Sequence, residues 1–297
     1  MALVFLWLAV WTALPITGRA ERLHLPTQLR ELGYETVPLR RTGQNHWFLF
    51  GQIEGRKRSC LVDTGWSFTT ISTNTAGRLQ ETHLIRTLQL GSVTLTNIPT
   101  RASELRVNGQ PTGYDMVLGC DFLLRSHAII DCDNNRLFLR TRPSAATDWS
   151  GWETILTRAG WTNIALQERS PAALTCSARI HGQATELLVD SGAMWSCLDQ
   201  TVATRAGLPT RMSAQRMTGP GANRQRAFQV AELKSWTLGP ATMPERTFAV
   251  FALGDWGLGA AGKLFPEVGG ILGGAELKSS AALIDCGNRR LWLRLKR

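Results

Sequence analysis

The sequence contains two copies of one short segment, in which an apolar run ends in aspartate, a hydroxyl residue and glycine. The first copy is Cys60-Leu61-Val62-Asp63-Thr64-Gly65, and the second is Leu187-Leu188-Val189-Asp190-Ser191-Gly192. One such triplet indicates only a turn, because Asp, Thr, Ser and Gly are ordinary turn residues. Two aspartates, each delivered by an apolar strand into a tight turn, indicate acid–base chemistry on a shared water.

The two copies lie 127 positions apart, and this offset holds without a gap through the residues that precede them. Matched pairs include Leu29 with Leu156, Gly33 with Gly160, Ile53 with Ile180 and Gly55 with Gly182. Downstream, Val117-Leu118-Gly119 is followed 12 positions later by Asp131, and Ile271-Leu272-Gly273 is followed 12 later by Asp285. We interpret Asp131 and Asp285 as turn or surface residues. The fixed spacing predicts an internal duplication.

This set of motifs resembles the retropepsin-like aspartic proteases, part of the clan of pepsin-like and retroviral-type aspartyl proteases, with two lobes fused in one chain. The resemblance covers nearly all of the chain after residue 20. It implies an all-β fold with a few short helices and two lobes related by a pseudo-twofold axis. We place the lobes at 21–145 and 146–297, with linker composition over 141–152.

The resemblance also assigns roles to the repeated residues. Asp63 and Asp190 would form the catalytic dyad of an aspartic endopeptidase, in which two adjacent carboxyls share a proton and activate water. Thr64 and Ser191 would bond across the lobe interface. The glycines would allow close approach of the backbone, beside the carboxyls at Gly65 and Gly192 and beside the second strand at Gly119 and Gly273. This chemistry requires neither a metal nor a cofactor.

A difference in length predicts that only the second lobe supplies a substantial flap. Asp63 to Leu90 spans 27 positions, whereas Asp190 to the equivalent Leu238 spans 48. The additional residues include Met217-Thr218-Gly219-Pro220-Gly221, which resembles the flap hairpin of retropepsin-like enzymes and would bind substrate. An ordinary exposed loop is the alternative.

The chain departs from the family pattern at Trp66, where a small residue is usual and where the second lobe has Ala193. Trp66, Phe68 and Trp195 either line substrate pockets or fill the core. If Trp66 blocks the cleft, the protein is a catalytically inactive relative, which would bind peptides or regulate processes at the cell envelope.

Residues 1–20 have the composition of a signal peptide. Leu3 to Leu14 is apolar apart from Thr12, and Gly18-Arg19-Ala20 offers small residues at the cleavage site. We therefore expect an exported protein, periplasmic or secreted, with an uncleaved N-terminal membrane anchor as the alternative.

The net charge of +10 predicts attraction to anionic surfaces, including that of the cell envelope. Nucleic-acid binding is not expected, because Arg56-Lys57-Arg58 and the basic tail are dispersed rather than gathered on one face with aromatic residues. We expect a polypeptide substrate and a monomeric enzyme, since both aspartates lie in one chain.

Cysteine and glycine patterns add two weaker expectations. Six cysteines in an exported chain permit up to three disulfides, and Cys176 with Cys197 is one candidate pair. Five scattered histidines and the lack of Cys-x-x-Cys argue against a metal site. Residues 257–262 fit Gly-x-Gly-x-x-Gly, but Pro266 would break the helix that a dinucleotide site needs, so a flexible loop is expected.

Overall fold

The computed structural model describes residues 24–76, 82–107, 110–142, 149–218, 225–256, 258 and 264–295. The predicted signal peptide lies outside this part of the chain. So do residues 219–224 of the predicted flap and, apart from Leu258, the glycine pattern at 257–262.

The first half of the chain forms three short helices and twelve strands within the described ranges. The helices are α1 Leu25–Glu31, α2 Thr73–Ala76 and α3 Cys120–Arg125. The strands are β1 Tyr34–Pro38, β2 Arg40–Arg41, β3 Trp47–Ile53, β4 Arg56–Val62, β5 Thr70–Ser72, β6 Thr82–Leu90, β7 Val93–Ser103, β8 Arg106–Val107, β9 Gln110–Pro111, β10 Met116–Leu118, β11 Ile129–Asp131 and β12 Arg136–Arg140.

The second half follows the same order with additional strands. The helices are α4 Trp149–Arg158, α5 Gln200–Arg205 and α6 Gly274–Ser279, with a 3-10 helix at Leu253–Trp256. The strands are β13 Thr162–Ala165, β14 Gln167–Arg169, β15 Ala173–Ile180, β16 Gln183–Val189, β17 Cys197–Asp199, β18 Thr210–Met217, β19 Arg226–Leu233, β20 Trp236–Leu238, β21 Ala241–Met243, β22 Arg246–Phe251, β23 Val268–Leu272, β24 Leu283–Asp285 and β25 Arg290–Leu293.

Each lobe is built on its own sheet, as the all-β prediction requires. The first-lobe sheet has the order β2-β3-β4-β10-β5-β7-β6, and a further pairing of β3 with β6 closes it. The second-lobe sheet has the order β18-β19-β22-β17-β23-β16-β15-β20-β21, with β14 paired to β15. Strand β3 shows why such sequences form strands: buried Trp47, Leu49 and Ile53 alternate with the more exposed Phe48 and Phe50.

A six-stranded sheet, β1-β12-β11-β24-β25-β13, joins the lobes. At its centre β11 and β24 run antiparallel, with Ile130 opposite Ile284. Ile129 lies opposite Asp285, and Asp131 lies opposite Leu283. Because Ile130 and Ile284 are themselves repeat equivalents, the pseudo-twofold axis passes through this pair.

Helices α1 and α4 cover one face of the joining sheet. Leu29 and Leu156, which match in the repeat, are buried in one cluster with Trp152, Trp161 and Trp292. The linker expected over 141–152 is therefore wrong at its end, since 149–152 belong to α4. The composition that suggested a linker concealed an apolar helix face at Trp152 and Leu156. None of the helices in the described ranges is long and apolar enough to span a membrane.

The cysteines do not form the disulfides that their number permits. All six are free and buried, including Cys176 and Cys197. They are spread through the apolar cores, where thiols pack as small hydrophobic side chains. Burial raises the pKa of Cys176 to about 12, so the unreactive thiol form persists at neutral pH.

Asp131 and Asp285 are the last residues of β11 and β24, so they are neither turn residues nor surface residues as predicted. Both are buried within the joining sheet, at 0% and 1% exposure. Asp285 accepts hydrogen bonds from the backbone N–H of Asn288 at 3.0 Å and from its side-chain amide at 2.8 Å. Asp131 accepts equivalent bonds from Asn134 at 2.9 and 2.8 Å. Pairing across 154 positions of sequence buries them, which local composition does not reveal.

Candidate active site

The two aspartates stand at the ends of equivalent strands. Strand β4 ends immediately before Asp63 and β16 immediately before Asp190. Each aspartate N–H donates to a strand that runs parallel to its own, to Leu118 O at 3.1 Å and to Leu272 O at 3.0 Å. Strands β10 and β23 thereby fix the position at which each carboxyl leaves the sheet.

Backbone N–H groups hold one oxygen of each carboxyl. Asp63 Oδ1 accepts from the N–H groups of Gly65 at 2.9 Å and Trp66 at 3.1 Å. Asp190 Oδ1 accepts from those of Gly192 at 2.8 Å and Ala193 at 2.9 Å. The two carboxyls also hydrogen-bond to each other. The structure thus brings together the two predicted dyad residues in matching environments.

Gly65 and Gly192 are required because the opposite carboxyl lies directly over each. A Cβ on Gly65 would lie 2.3 Å from Asp190 Cγ, and one on Gly192 would lie 2.3 Å from Asp63 Cγ. No side chain fits at that distance without displacing the aspartate of the other lobe. The glycines serve the close approach of the two lobes.

Thr64 and Ser191 form four reciprocal hydrogen bonds between the lobes. Thr64 Oγ1 donates to Val189 O at 2.7 Å and accepts from Ser191 N at 3.0 Å. Ser191 Oγ donates to Val62 O at 2.9 Å and accepts from Thr64 N at 3.0 Å. Both side chains are fully buried, so each bond satisfies a backbone group that water cannot reach.

Burial and proximity raise the pKa of both aspartates. For Asp63, desolvation is the largest cause, followed by the charge of Asp190 and by their mutual hydrogen bond. For Asp190, desolvation also raises the pKa, whereas the same hydrogen bond lowers it. The two carboxyls therefore share a proton and titrate as one coupled pair.

Gly119 and Gly273 lie against the chain that follows each aspartate turn. A Cβ on Gly119 would lie 2.7 Å from the carbonyl carbon of Phe68, and one on Gly273 would lie 2.5 Å from that of Trp195. The next residue, Cys120, donates its N–H to Trp66 O at 2.7 Å. Both glycines therefore lie where the second strand passes beside the aspartate turn of its lobe.

A pair of hydrogen-bond networks behind these glycines, partly buried in the first lobe and buried in the second, was not predicted. In the first lobe, Asp121 Oδ1 accepts from Thr69 N and Thr69 Oγ1, both at 2.7 Å, and Thr69 Oγ1 accepts from Gly119 N at 3.2 Å. In the second lobe, Glu276 and Ser196 make the same bonds, with Gly273 N donating to Ser196 Oγ at 2.9 Å. Burial raises the pKa of Glu276.

The sequence did contain a signal for these networks. Thr69 and Ser196 are hydroxyl residues at the 127-position offset, and an acidic residue follows each glycine. The acids stand two positions after Gly119 but three after Gly273, so a fixed offset does not align them.

Trp66, Phe68 and Trp195 are all only partly buried, so none is a core residue. Trp66 Nε1 donates to Thr70 Oγ1 at 2.8 Å, which ties the indole to the first-lobe sheet. The Phe68 ring lies 3.3 Å from the guanidinium carbon of Arg101.

The predicted flap is only partly within the described residues. Met217 ends β18, Thr218 follows it, and Gly219, Pro220 and Gly221 lie outside the described part. Strands β18 and β19 form the stem of an antiparallel hairpin, with Met217 opposite Arg226. The described part of the first lobe has no strand equivalent to β18. Across the described ranges, no cluster of His, Cys, Asp and Glu could hold a metal ion.

Comparison with known proteins gives a family and a fold. Residues 176–275, which include Asp190 and Gly273, match the family described as aspartyl protease. An aspartic proteinase from Irpex lacteus has a similar structure, with 16% identity, a TM-score of 0.51 and coverage of 89% of this chain and 97% of that one. Basic 7S globulin from soybean has 11% identity, a TM-score of 0.50 and coverage of 89% and 95%. No curated protein matches significantly.

The identities are low, so the likeness to solved structures establishes the fold alone. That fold is the predicted one, with two lobes that each carry the same aspartate turn. The family match lies in the second lobe, where residues 176–275 are similar to the aspartyl protease family.

Proposed function

We propose that the protein is an aspartic endopeptidase that hydrolyses peptide bonds with a water activated by Asp63 and Asp190. One observation carries the proposal: each aspartate carboxyl lies over the glycine of the opposite turn and bonds to the other carboxyl. Two buried carboxyls in that position cannot both ionise at low cost, so they share one proton. A pair of this kind contains a base and an acid side by side.

In the proposed mechanism, Asp190 begins ionised and Asp63 begins protonated. Asp190 takes a proton from the water as its oxygen attacks the peptide carbonyl, and Asp63 gives its proton to the carbonyl oxygen. The product is a neutral tetrahedral diol. Asp190 then protonates the amide nitrogen, the C–N bond breaks, and a diol hydroxyl returns its proton to Asp63. Release of the new carboxylic acid and the new amine returns the dyad to its starting protonation state.

The proposal also includes a flap, a monomeric enzyme and an exported location. The hairpin of β18 and β19, with Met217 and Thr218 at the end of its first strand, would supply the flap that covers a bound peptide. A single chain would suffice, because both turns are present in it. Export and attraction to anionic envelope surfaces remain predictions from residues 1–20 and from the net charge.

The test is cleavage of a mixed peptide library, analysed by mass spectrometry, with and without pepstatin. Asp63→Asn and Asp190→Asn should each abolish cleavage, since a shared proton needs both carboxyls, while circular dichroism stays unchanged. Near-normal turnover by either variant would refute the dyad. No cleavage by the wild type, together with peptide binding, would identify the protein instead as an inactive binding relative.

A further inference from the structure

We propose that the first lobe carries a second recognition surface, outside the dyad, for an acidic and apolar segment of the polypeptide substrate. The surface, which we call the aromatic–basic face, consists of Arg40, Phe48, Phe50, Lys57 and Tyr114. The proposal rests on the proposed function in one respect: the segment that docks belongs to the polypeptide that the dyad cleaves.

The aromatic–basic face is continuous with the sheet surface that carries the dyad. Leu61 and Asp63 are two residues apart on one extended segment, so they project from the same face and lie about 7 Å apart along it. From Leu61 a row of paired residues crosses the strands, to Phe48 on β3 and to Val117 on β10. Val117 pairs in turn with Thr70 on β5.

Trp66 and Tyr114 extend this row as an apolar path. Both pack against the small cluster that contains Leu61 and Val117. The indole N–H of Trp66 is already bonded to Thr70, so its ring is fixed against the sheet. The path therefore leads from the aspartate turn toward Tyr114.

Aromatic rings continue the path outward from Tyr114. The Phe48 ring lies 6.0 Å from the Tyr114 ring and 5.7 Å from the Phe50 ring, with an edge-on arrangement in the second pair. Phe50 is 45% exposed. Since the rings are held by one another and by the strand, they form a ready-made surface that gains by covering its apolar area.

Two cations border the exposed ring. The Arg40 guanidinium carbon lies 5.4 Å from the centre of the Phe50 ring, and Lys57 Nζ lies 4.9 Å from it. Both side chains are exposed, and neither forms an ion pair with any described residue, whereas the neighbouring Arg58 pairs with Asp115 at 3.3 Å. An acidic residue next to an apolar one would complement both the charges and the ring.

The second lobe shows that the fold does not require this surface. The 127-position equivalents of Arg40, Phe48, Phe50 and Lys57 are Gln167, Thr175, Ser177 and Ala184. Ser177 Oγ donates to Glu186 Oε1 at 2.6 Å, and Arg169 there pairs with Glu267 at 3.1 Å. Strand pairing is the same in both lobes, yet the equivalent surface is polar and its charges are compensated.

The experiment compares Arg40→Glu/Lys57→Glu with Arg86→Glu/Lys234→Glu, which changes the net charge equally at two exposed residues elsewhere. Binding of a fluorescein-labelled peptide of Phe, Leu, Asp and Glu is measured in the Asp190→Asn background. We expect the first pair of substitutions to weaken binding about tenfold and the control pair to change it less than about twofold. Equal affinities in both variants would overturn the proposal.

Two further binding measurements test the contributions of the peptide's acidic residues and of the Phe50 ring separately. The same peptide with Asn and Gln in place of its acids should bind the parent protein about as weakly as the acidic peptide binds the charge-reversed variant. Phe50→Ser, at a position where the second lobe carries Ser177, should also weaken binding of the acidic peptide. If the neutral peptide binds as tightly as the acidic one, charge complementarity is refuted.

Hydrolysis and membrane binding are measured separately. Binding that depends on Arg40 and Lys57 without any hydrolysis by the wild type would sustain the docking surface and defeat the endopeptidase proposal. Hydrolysis by the wild type, together with peptide binding that does not depend on Arg40 or Lys57, would support the endopeptidase proposal and refute the docking surface. If the charge reversal abolishes binding to phosphatidylglycerol vesicles but leaves peptide binding intact, the face contacts membranes and the proposal is wrong.

Discussion

Replacing Thr64 by valine removes one hydroxyl and leaves two buried backbone groups without partners. In the native protein Thr64 Oγ1 accepts from Ser191 N and donates to Val189 O, and its side chain is fully buried. Valine fills the same space but offers neither bond. The change therefore isolates the hydrogen bonds between the lobes from the packing around them.

The expected cost follows from those two lost partners. A buried donor or acceptor left unsatisfied costs about 1–3 kcal/mol, so Thr64→Val should lower the free energy of unfolding by about 2–6 kcal/mol. That is a large share of the roughly 5–15 kcal/mol by which a native domain is stable. Thr64→Ser keeps the hydroxyl and should lose much less.

Urea unfolding followed by tryptophan fluorescence measures the effect. Thr100→Val is the matched control, because Thr100 is also buried but its hydroxyl makes one bond, to His83 O at 2.9 Å, within a single hairpin. We expect the control to cost about 1 kcal/mol. If Thr64→Val and Thr100→Val proved equally stable, the reciprocal bonds would not hold the lobes together as described.

Two other predictions concern pH and the flap. Burial raises the pKa of Asp285 to about 6 from 3.8, so its contribution to stability is complete below pH 3.8 and is lost as the pH rises through 6. Asp285→Asn cannot ionise, and its stability relative to the wild type should rise by about 2 kcal/mol between pH 4 and pH 7 in urea titrations; a difference that does not change with pH would contradict this. Shortening 217–224 to a two-residue turn should cut peptide turnover severely with little change in Tm, and unchanged turnover would show that the hairpin does not cover the site.

The backbone of the candidate site could be predicted because each of its sequence motifs occurs twice, once in each half of the chain. One Asp-Thr-Gly is an ordinary turn, but a second at a constant offset, followed in each half by an apolar-apolar-Gly run, fixes two strands and their parallel neighbours. The hairpin of β3 and β4 is indicated less directly, by the turn residues Glu54-Gly55 between two strand-forming runs.

What sequence reasoning missed depends on contacts between distant segments. From the sequence alone, Asp285 is interpreted as a turn or surface residue. It is buried because β24 pairs with β11. The bond from Thr69 to Asp121 spans 52 positions, and its counterpart from Ser196 to Glu276 spans 80. The cysteines were misjudged for a different reason: their number permits disulfides, but their spacing does not show that apolar side chains surround all six.

The joining sheet takes strands from both halves of the chain, so neither half is expected to be stable as a separate monomer. If the chain were divided after β12, strand β11 of the first half would lose β24, and its row of N–H and C=O groups would become an open edge. An open edge of this kind pairs readily with another chain. Since Ile130 lies on the pseudo-twofold axis opposite its own repeat equivalent, a second copy of the same half could occupy the vacant place in nearly the same register. A half-length fragment would then associate with itself isologously, with one aspartate turn from each copy.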